Sequence, residues 1–567
     1  MTHSRRWLIP PPLTREAEAA LNAFPPILRQ VLFNRGYATY DEARFFLEAR
    51  PSFNPDPFQM TGMRQAVERI RRALAQGETI VIYGDYDVDG VTATALLTDT
   101  LTALGGKVRG YIPNRFDEGY GLNKEALSQL KQEGVGLVIS VDCGIRSPDE
   151  AHHARTIGLD LVITDHHHPL EGLLPPALAV LNPKQPGDAY PDKDLAGVGI
   201  AYKLAEALLT PRESHIAPDD LLDLTALGTV ADLAPLVGEN RFLVRRGLRQ
   251  MREKKRQGLL SLAAVSGVDI TRVNATDIGF RLGPRLNASG RLESALASYE
   301  LLTTRDIFRA GQLAQQLDVQ NRERQRLTRK IQQQAETLAL AEDPQAWLLF
   351  AAHEDFNPGV VGLAASRLVE THYRPAIVAQ RGPHTTRGSC RSIPEFHITN
   401  ALDQCVDLLV RHGGHAAAAG FTVENDKLEE LVTRLKRIAR EQLSGQDLRP
   451  TLRADAEVAL KNVRPDLFEH LKYLEPTGYG NPPAVFVARS VKVKSARCVG
   501  SDGKHLKLTL EDEHGMTHDA IGFGLGHLQA SLTARLDIMF TYETNEYNGR
   551  VNFQLNLKDV KPAGTPD

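Results

Sequence analysis

Four short motifs concentrate carboxylates and imidazoles. GDYDVDG places Asp85, Asp87 and Asp89 at alternate positions, and SVDCG adds Asp142. ITDHHHP adds Asp165, His166, His167 and His168, and ALGTVADLAPL adds Asp232. One Asp ahead of a helix is an ordinary N-cap, but three at alternate positions repel one another unless a cation lies among them. A calcium loop also begins D-x-D-x-D-G, yet it needs a bidentate Glu at its twelfth position and a helix before it. Here Leu96 holds that position and an apolar run precedes the motif, so the calcium loop is excluded. Three adjacent histidines after an Asp point to a metal more strongly than a lone histidine does. The set is rich in oxygen and free of thiolate, which suits Mn²⁺ or Mg²⁺ better than structural zinc. Two such ions clamp the attacking and leaving oxygens of an in-line displacement at phosphorus. The residues therefore favour hydrolysis of a phosphate ester or anhydride.

The elements around these motifs must bring them together. ETIVIYG (78–84), KVRGYIP (107–113), GLVISVD (136–142) and LDLVITD (159–165) are short apolar runs that predict buried strands. VTATALLTDTLTAL (91–104) and NKEALSQLKQEG (123–134) predict helices between them. Strands alternating with helices predict an α/β fold with a parallel sheet covered on both faces, whose ligands lie beyond the carboxyl ends of the strands. All the acidic motifs are expected at such ends. From 304 to 341 the chain is polar and helical, too polar for a core helix, and reads as a spacer of roughly 50 Å between two domains. A second α/β pattern follows, with strands at 347–352 and 375–380 and a helix at 360–370. After about 448 five alternating strands over the last 110 or so residues predict a small β-barrel of OB type.

Composition narrows the class without deciding it. The chain has 567 residues, 42% hydrophobic and 24% charged, with a net charge of −3. This excludes wholesale disorder and a uniformly basic coat, while an acidic metal site and a basic groove can cancel in the total. At about 150 residues per domain the length allows three or four domains. Cys143, Cys390, Cys405 and Cys498 stand far apart, which argues against zinc ribbons, thioredoxin-like chemistry and a disulfide framework. No apolar run approaches the ~20 residues of a membrane span, and MTHSRRWLIPPPL lacks the apolar core of a signal peptide. The expected location is the cytoplasm, with no membrane partner.

Two further motifs suit phosphate. GSCRS, with Ser389 and Arg391, offers backbone N–H groups, a hydroxyl and a guanidinium fork. GGHAAAAG, with Gly413, Gly414 and His415, reads as a glycine turn before an Ala-rich helix, whose free N–H groups attract anions. Arg285, Asn287 and Arg291 form another polar cluster. The basic runs 241–256 and 321–330 are open to two readings, a solvated helix face or a path for a nucleic-acid strand.

In this order the motifs resemble the DHH phosphoesterase superfamily, named for the triplet seen here as Asp165-His166-His167. AGVGIAYKLA, GPRLNASGRLESA, FNPGVVGLAASRL, RGSCRSI and GGHAAAAG narrow the resemblance to the RecJ family of single-strand-specific 5′→3′ DNA exonucleases. The resemblance covers about residues 25 to 560. It implies two divalent ions, Mn²⁺ or Mg²⁺, held by Asp85, Asp87, Asp89, Asp142, His166 and Asp232. It further implies that Asp142 bridges the ions, that His167 lies nearer the substrate and that Arg115 meets the 5′-phosphate. Ser389 and Arg391 join Arg115 in the expected pocket for the 5′ end. Tyr83 stands where related phosphatases have a His, and Phe356-Asn357 where RecJ proteins often have Trp-His.

The domains so implied are a helical segment packing on the catalytic domain (1–75), a DHH catalytic domain (76–303) and a long connecting helix (304–341). A DHH-associated phosphate- and nucleic-acid-binding domain (342–447) and an OB-fold single-strand-binding domain (448–567) complete the chain. Single-stranded DNA is the expected substrate, with release of mononucleotides and a role in DNA recombination and repair. A RecQ-type helicase and single-strand-binding protein are the partners the resemblance implies. Two other readings compete: a DHH enzyme acting on very short oligonucleotides or cyclic dinucleotides, and a noncatalytic replication scaffold. The first would have little use for a C-terminal barrel, and the second is at odds with an intact set of acidic motifs.

Overall fold

The apolar runs that precede the acidic motifs do form one parallel sheet. In the computed structural model, which describes residues 5–114, 118–119, 121–209, 214–253, 256–547 and 550–565, that sheet has five strands. They are β1 (Thr79–Gly84), β2 (Lys107–Tyr111), β3 (Val135–Val141), β4 (Asp160–Thr164) and β5 (Ala179–Leu181), in the order β2-β1-β3-β4-β5. All neighbours are parallel. Ile80, Ile82, Leu137, Ile139 and Val162 face one core, and Val81, Tyr83, Val138 and Ile163 face another, so both sides are covered. The order reverses at β1, and at such a switch point the loops leave in opposite directions and open a crevice. Helices α1 (Val88–Ala103), α2 (Gly197–Leu208), α3 (Leu222–Ala231) and α4 (Gly238–Glu253) build the larger of the two cores.

The chain divides into two compact units, Trp7–Leu317 with Arg453–Asp567, and Asp318–Leu452 with the first six residues. The 36-residue helix α5 (Ile307–Glu342), which its polarity marks as a spacer and not a core helix, runs from one unit into the other and buries residues in both. Ala310, Leu313, Ala314 and Leu317 enter the catalytic core, while Ile331, Ala335 and Ala339 enter a core of the second unit. Alanines with leucine and isoleucine at spacings of three and four make a narrow apolar face on an otherwise polar helix. The second unit holds the sheet β6 (Leu349–His353), β7 (Ala376–Arg381), β8 (Thr385–Arg391), β9 (Leu409–His415) and β10 (Ala418–Glu424), in the order β9-β10-β8-β7-β6, and helix α6 (Val361–His372).

The five C-terminal strands close into a barrel. Strands β11 (Val485–Val499), β12 (His505–Glu511), β13 (Thr517–Gly522), β14 (Arg535–Tyr547) and β15 (Arg550–Pro562) run β11-β12-β13-β15-β14, and β14 pairs back to β11. Only the β13–β15 contact is parallel, an arrangement that matches the predicted OB type.

The N-terminal helices pack on the barrel as well as on α4 of the domain to which the sequence reading assigns them. Leu21, Leu28, Val31, Leu32, Phe46 and Leu47 share a core with Phe486, Leu508 and Phe540 of the barrel, not with the catalytic sheet. Arg35 seals this contact through Asp455 at 2.8 Å. Of residues 1–75, the helix beginning at Met63 belongs to the catalytic core. An amphipathic pattern says that a face is buried, not which distant core receives it.

Candidate metal centre

The acidic motifs meet at the carboxyl edge of the sheet, each held there by local backbone chemistry. Asp85 directly follows β1, and Asp87 caps α1 by accepting from the N–H groups of Asp89 and Gly90. Asp89, in the first turn of α1, accepts from Gly197 N at 2.7 Å and Val198 N at 2.8 Å. Its carboxylate thus sits on the N-terminus of α2 as well, where free N–H groups favour negative charge. Only glycine fits at 197: a Cβ there would lie 2.9 Å from both Asp142 Oδ1 and Asp89 Oδ2. Asp142 follows β3 with φ +60, the left-handed region that Asp tolerates better than most residues. Asp232 caps the C-terminal end of α3, where the helix dipole disfavours a carboxylate. A residue placed against that preference needs another reason to be there.

The histidines differ in role. His166 is largely buried, and its Nε2 makes no hydrogen bond among the described residues. That atom lies 3.1 Å from Asp142 Oδ1, 3.8 Å from Asp232 Oδ2 and 3.9 Å from Asp89 Oδ2. His167 is 41% exposed, and its Nδ1 pairs with Asp165 Oδ1 at 2.8 Å. Asp165 also accepts from the backbone N–H groups of Ile145 and His167, so its carboxylate fixes the ring of its neighbour. Burial alone would raise Asp165, but the His167 bonds hold it below the usual carboxylate range. Burial alone would lower His167, and Asp165 reverses that and raises it.

The electrostatics ask for a cation. Burial, and then the neighbouring Asp87 charge, pushes Asp89 up to about 7. Burial followed by Asp89 and Asp87 pushes Asp232 up to about 9. Asp142 is raised by the same causes, burial first and then Asp89. His166 is pressed down to about 3, first by burial and then by the charge of His167, which leaves a neutral nitrogen able to ligate. Among the described residues, three groups have ligand atoms within 4.8 Å of one another: Asp85–Asp87–Asp142, Asp89–His166–Asp232 and Asp142–His166–His167. Oxygen donors, one unbonded buried nitrogen and an excess of negative charge fit hard divalent ions. Asp142 belongs to one acidic group and touches the histidine of the other.

Other predicted residues fare differently. Tyr83 is buried and turns its hydroxyl to Gly121 O at 3.0 Å, so it is a core residue. Asn287 Oδ1 accepts from Val88 N at 3.2 Å, which ties its segment to the first acidic motif. Arg285 donates to Arg281 O at 2.6 Å, and Arg291 lies in the last turn of the same short helix, Gly283–Leu292. Arg115 lies outside the described residues.

In the second unit, Ser389 and Arg391 stand on one face of β8, with Arg391 donating to Ser389 Oγ at 3.1 Å. The backbone of GSCRS is committed to ladders with both β7 and β10, so the side chains, not the amides, are left for an anion. Gly362, in the first turn of α6, faces them; a Cβ there would lie 2.9 Å from both. GGHAAAAG is not a turn into a helix. Gly413, Gly414 and His415 end β9, Ala416 and Ala417 form the turn, and Ala418 and Ala419 begin β10, so no helix N-terminus forms. The reason is tertiary: β10 is sandwiched between β8 and β9, and sheet pairing overrides the helix propensity of alanine. The register still sets His415, Ala418 and Arg391 side by side, and Gly413, Gly420 and Ser389 likewise. Phe356 is buried, and Asn357 Oδ1 accepts from Gly359 N at 2.8 Å.

The basic run 241–256 divides. Arg241 is buried and Arg256 pairs with Asp99 and Asp223, so these two are structural, whereas Arg245, Arg249 and Arg252 line a cavity. Lys254 and Lys255 lie outside the described residues. In the run 321–330, Arg326 pairs with Glu323 and Arg322 with Asp318. Sequence reasoning missed Gly197 and Val198 as the anchors of Asp89; the AGVG motif was the available signal. It also gave Asp165 no role of its own.

Known proteins match this arrangement throughout the chain. Residues 79–229 match the N-terminal domain of the DHH family, 345–441 the DHHA1 domain and 454–559 the RecJ OB domain. The single-stranded-DNA-specific exonuclease RecJ of Bacillus subtilis is 40% identical over 541 residues, 94% of this chain and 68% of that protein. The RecJ exonuclease of Escherichia coli is 34% identical over 568 residues, 95% of this chain and 96% of that one. The crystal structure of Thermus thermophilus RecJ in complex with Mn²⁺ superposes with a TM-score of 0.84 at 30% identity, covering 99% of this chain and 80% of that one. With three domain matches in order and full-length relatives above 30% identity, the chain belongs to the RecJ family.

Proposed function

We infer that the protein is a single-stranded-DNA-specific 5′→3′ exonuclease that hydrolyses phosphodiester bonds and releases mononucleotides. The observation that carries this reading is the convergence of five carboxylates and His166 Nε2 at one sheet edge, in a chain that also carries an OB-type barrel. Asp85, Asp87, Asp89, Asp142, His166 and Asp232 are the residues to hold two divalent cations, Mn²⁺ or Mg²⁺. Such ions supply Lewis acidity to a phosphodiester and a nucleophile at neutral pH. The protein's own groups do the positioning. Two backbone N–H groups fix Asp89, so its oxygens need no reorganisation. Asp165 orients His167, whose ring keeps its proton better than a free imidazole and is exposed enough to reach the scissile phosphate or the leaving oxygen. In the second unit, Ser389 and Arg391 are suited to a phosphate, with Gly413, Gly414 and His415 on neighbouring strands. Asn287, tied to the first acidic motif, and Arg285 and Arg291 on the same helix are the residues to meet the strand itself.

The barrel favours a polymer over a dinucleotide as substrate, since a two-nucleotide ligand has no use for it. The same reading carries a role in DNA recombination and repair, in the cytoplasm, beside a RecQ-type helicase and single-strand-binding protein. The test is digestion of a long single strand labelled at either end, in Mn²⁺. Labelled mononucleotide should appear first from the 5′-labelled strand, and blunt duplex should resist. Digestion from the 3′ end, or cleavage of dinucleotides alone, would overturn the reading.

A further inference from the structure

Beside the metal cluster, the unit that contains it holds a groove of about 650 Å³. One wall includes Val230 and Leu233, which flank Asp232, and Phe280. The other includes Phe468, Tyr479 and Tyr542, from the barrel and the segment before it. Leu233 is 64% exposed, Phe280 80% and Tyr479 63%. Single exposed apolar residues are ordinary on any protein surface. Three on one groove, starting next to a metal-binding aspartate, are a pattern.

The backbone is arranged to display them. Leu233 follows α3 with φ +61, a position usually given to glycine and strained for leucine. Phe280 stands in a π-helical turn, Ile278–Leu282, a rare geometry that recurs at functional sites. Tyr479 is held on a rigid turn: Leu236 N donates to its carbonyl at 2.7 Å. The Asn481 amide donates to the carbonyls of Leu474 and Pro476 at 2.8 Å each. A cavity of about 380 Å³ adjoins the groove, sharing Lys472 and Glu475 with it; Arg245, Arg249 and Arg252 also line it and leave it basic on balance.

Exposed rings in the groove and cations in the adjoining cavity match a single polynucleotide strand, which offers base faces and phosphates separately. A duplex turns its base faces inward and gains nothing from the rings. An apolar peptide would leave the cations unanswered. We propose that Leu233, Phe280 and Tyr479 form a base-stacking track that leads a single DNA strand to the metal centre and selects unpaired DNA. This rests on the nuclease reading above and adds to it the part of the substrate that the track grips.

The test compares two strands that differ only in their bases. Affinities are measured without divalent metal for a 5′-phosphorylated oligothymidylate and for an abasic strand with the same number of phosphates. The unaltered protein should prefer the oligothymidylate. Phe280→Ala with Tyr479→Ala should weaken oligothymidylate binding by about 5- to 100-fold per lost stack, and abasic binding by less than about twofold. Leu233→Gly, which suits the φ of that position, should repeat the pattern with a smaller loss and without risk to folding. Equal losses on both strands, or no loss on either, would overturn the track; the second result would assign the groove to another occupant, such as a protein segment. Digestion of oligothymidylate by the unaltered protein in Mn²⁺ tests the nuclease reading separately. Its absence would overturn that reading and leave the base preference to be judged alone.

Discussion

The molecule buries charge in two places and treats it in opposite ways. Arg241 lies inside the unit that carries the catalytic sheet, and all five of its N–H donors are used. They reach the carbonyls of Phe46, Tyr473, Leu474, Glu475 and Pro476 at 2.8 to 3.0 Å. Phe46 also lies under the guanidinium, 4.2 Å from ring centroid to Cζ. In the acidic cluster Asp85, Asp89 and Asp142 are as deeply buried, yet His166 Nε2 bonds to nothing among the described residues, and Asp89, Asp142 and Asp232 are pushed far up. The chain satisfies the first charge completely and leaves the second in deficit. A buried charge met in full by the protein holds segments together; one left unmet is a place for something from solution.

The comparison can be broken at several points. The largest effect is expected at Asp142. Asp142→Ala should reduce digestion of single-stranded DNA by more than the ~10²–10⁴-fold typical of one acid–base group. The metal-free variant should be no less stable than the parent, because a repelled carboxylate has gone. A near-normal rate in Mn²⁺ would remove Asp142 from the metal centre. Arg241→Met should do the reverse and cost stability, by about 3–5 kcal/mol, since it abandons a set of buried carbonyls. Urea unfolding gives the figure; a loss below about 1 kcal/mol would mean that water satisfies the cage.

Asp165→Asn sharpens the contrast between His166 and His167. It keeps the shape but weakens the hold on the His167 ring, and activity should fall ~10–100-fold with metal affinity nearly unchanged. A collapse of metal affinity instead would make Asp165 part of the ligand set. The smallest effect is a pH dependence. Asp89 and Asp232 have folded-state values above those of an unfolded chain, so the metal-free fold binds extra protons. Their contribution is fully favourable below about pH 4, the unfolded value, and is lost as pH rises through about 7 and then about 9. A cation replaces those protons, so Mn²⁺ affinity should rise by about tenfold per pH unit for each proton displaced. Melting curves with and without Mn²⁺ at pH 6 and pH 9 measure it, and an equal Mn²⁺ shift at both would contradict the pKa assignment.

Much of the acidic centre was legible because its signals are local. Alternate aspartates after an apolar run, and an aspartate before three histidines, announce their chemistry within a few residues. The parallel sheet was legible for the same reason, since apolar strands between helices have few other solutions. The phosphate motifs of the second unit show where locality fails. GGHAAAAG has helix-forming composition, and it became a hairpin because neighbouring strands took its backbone. The basic run 241–256 reads equally as a solvated face or a strand's path, and only the distant carbonyls of 473–476 reveal why Arg241 is inside.

By itself the sequence determined which side chains carry the chemistry, what kind of cation suits them and that strand ends would present them. These follow from donor type, spacing and hydrophobic period, all of them properties of short segments. The tertiary structure alone decided how the carboxylates divide into groups, that Gly197 and Val198 anchor Asp89 across more than a hundred residues, and that the N-terminal helices pack on the barrel. It also decided that Leu233, Phe280 and Tyr479 line one groove. Such meetings depend on how separate segments pack, and the free energy that selects the packing is a sum over the whole fold, which no single stretch of residues encodes.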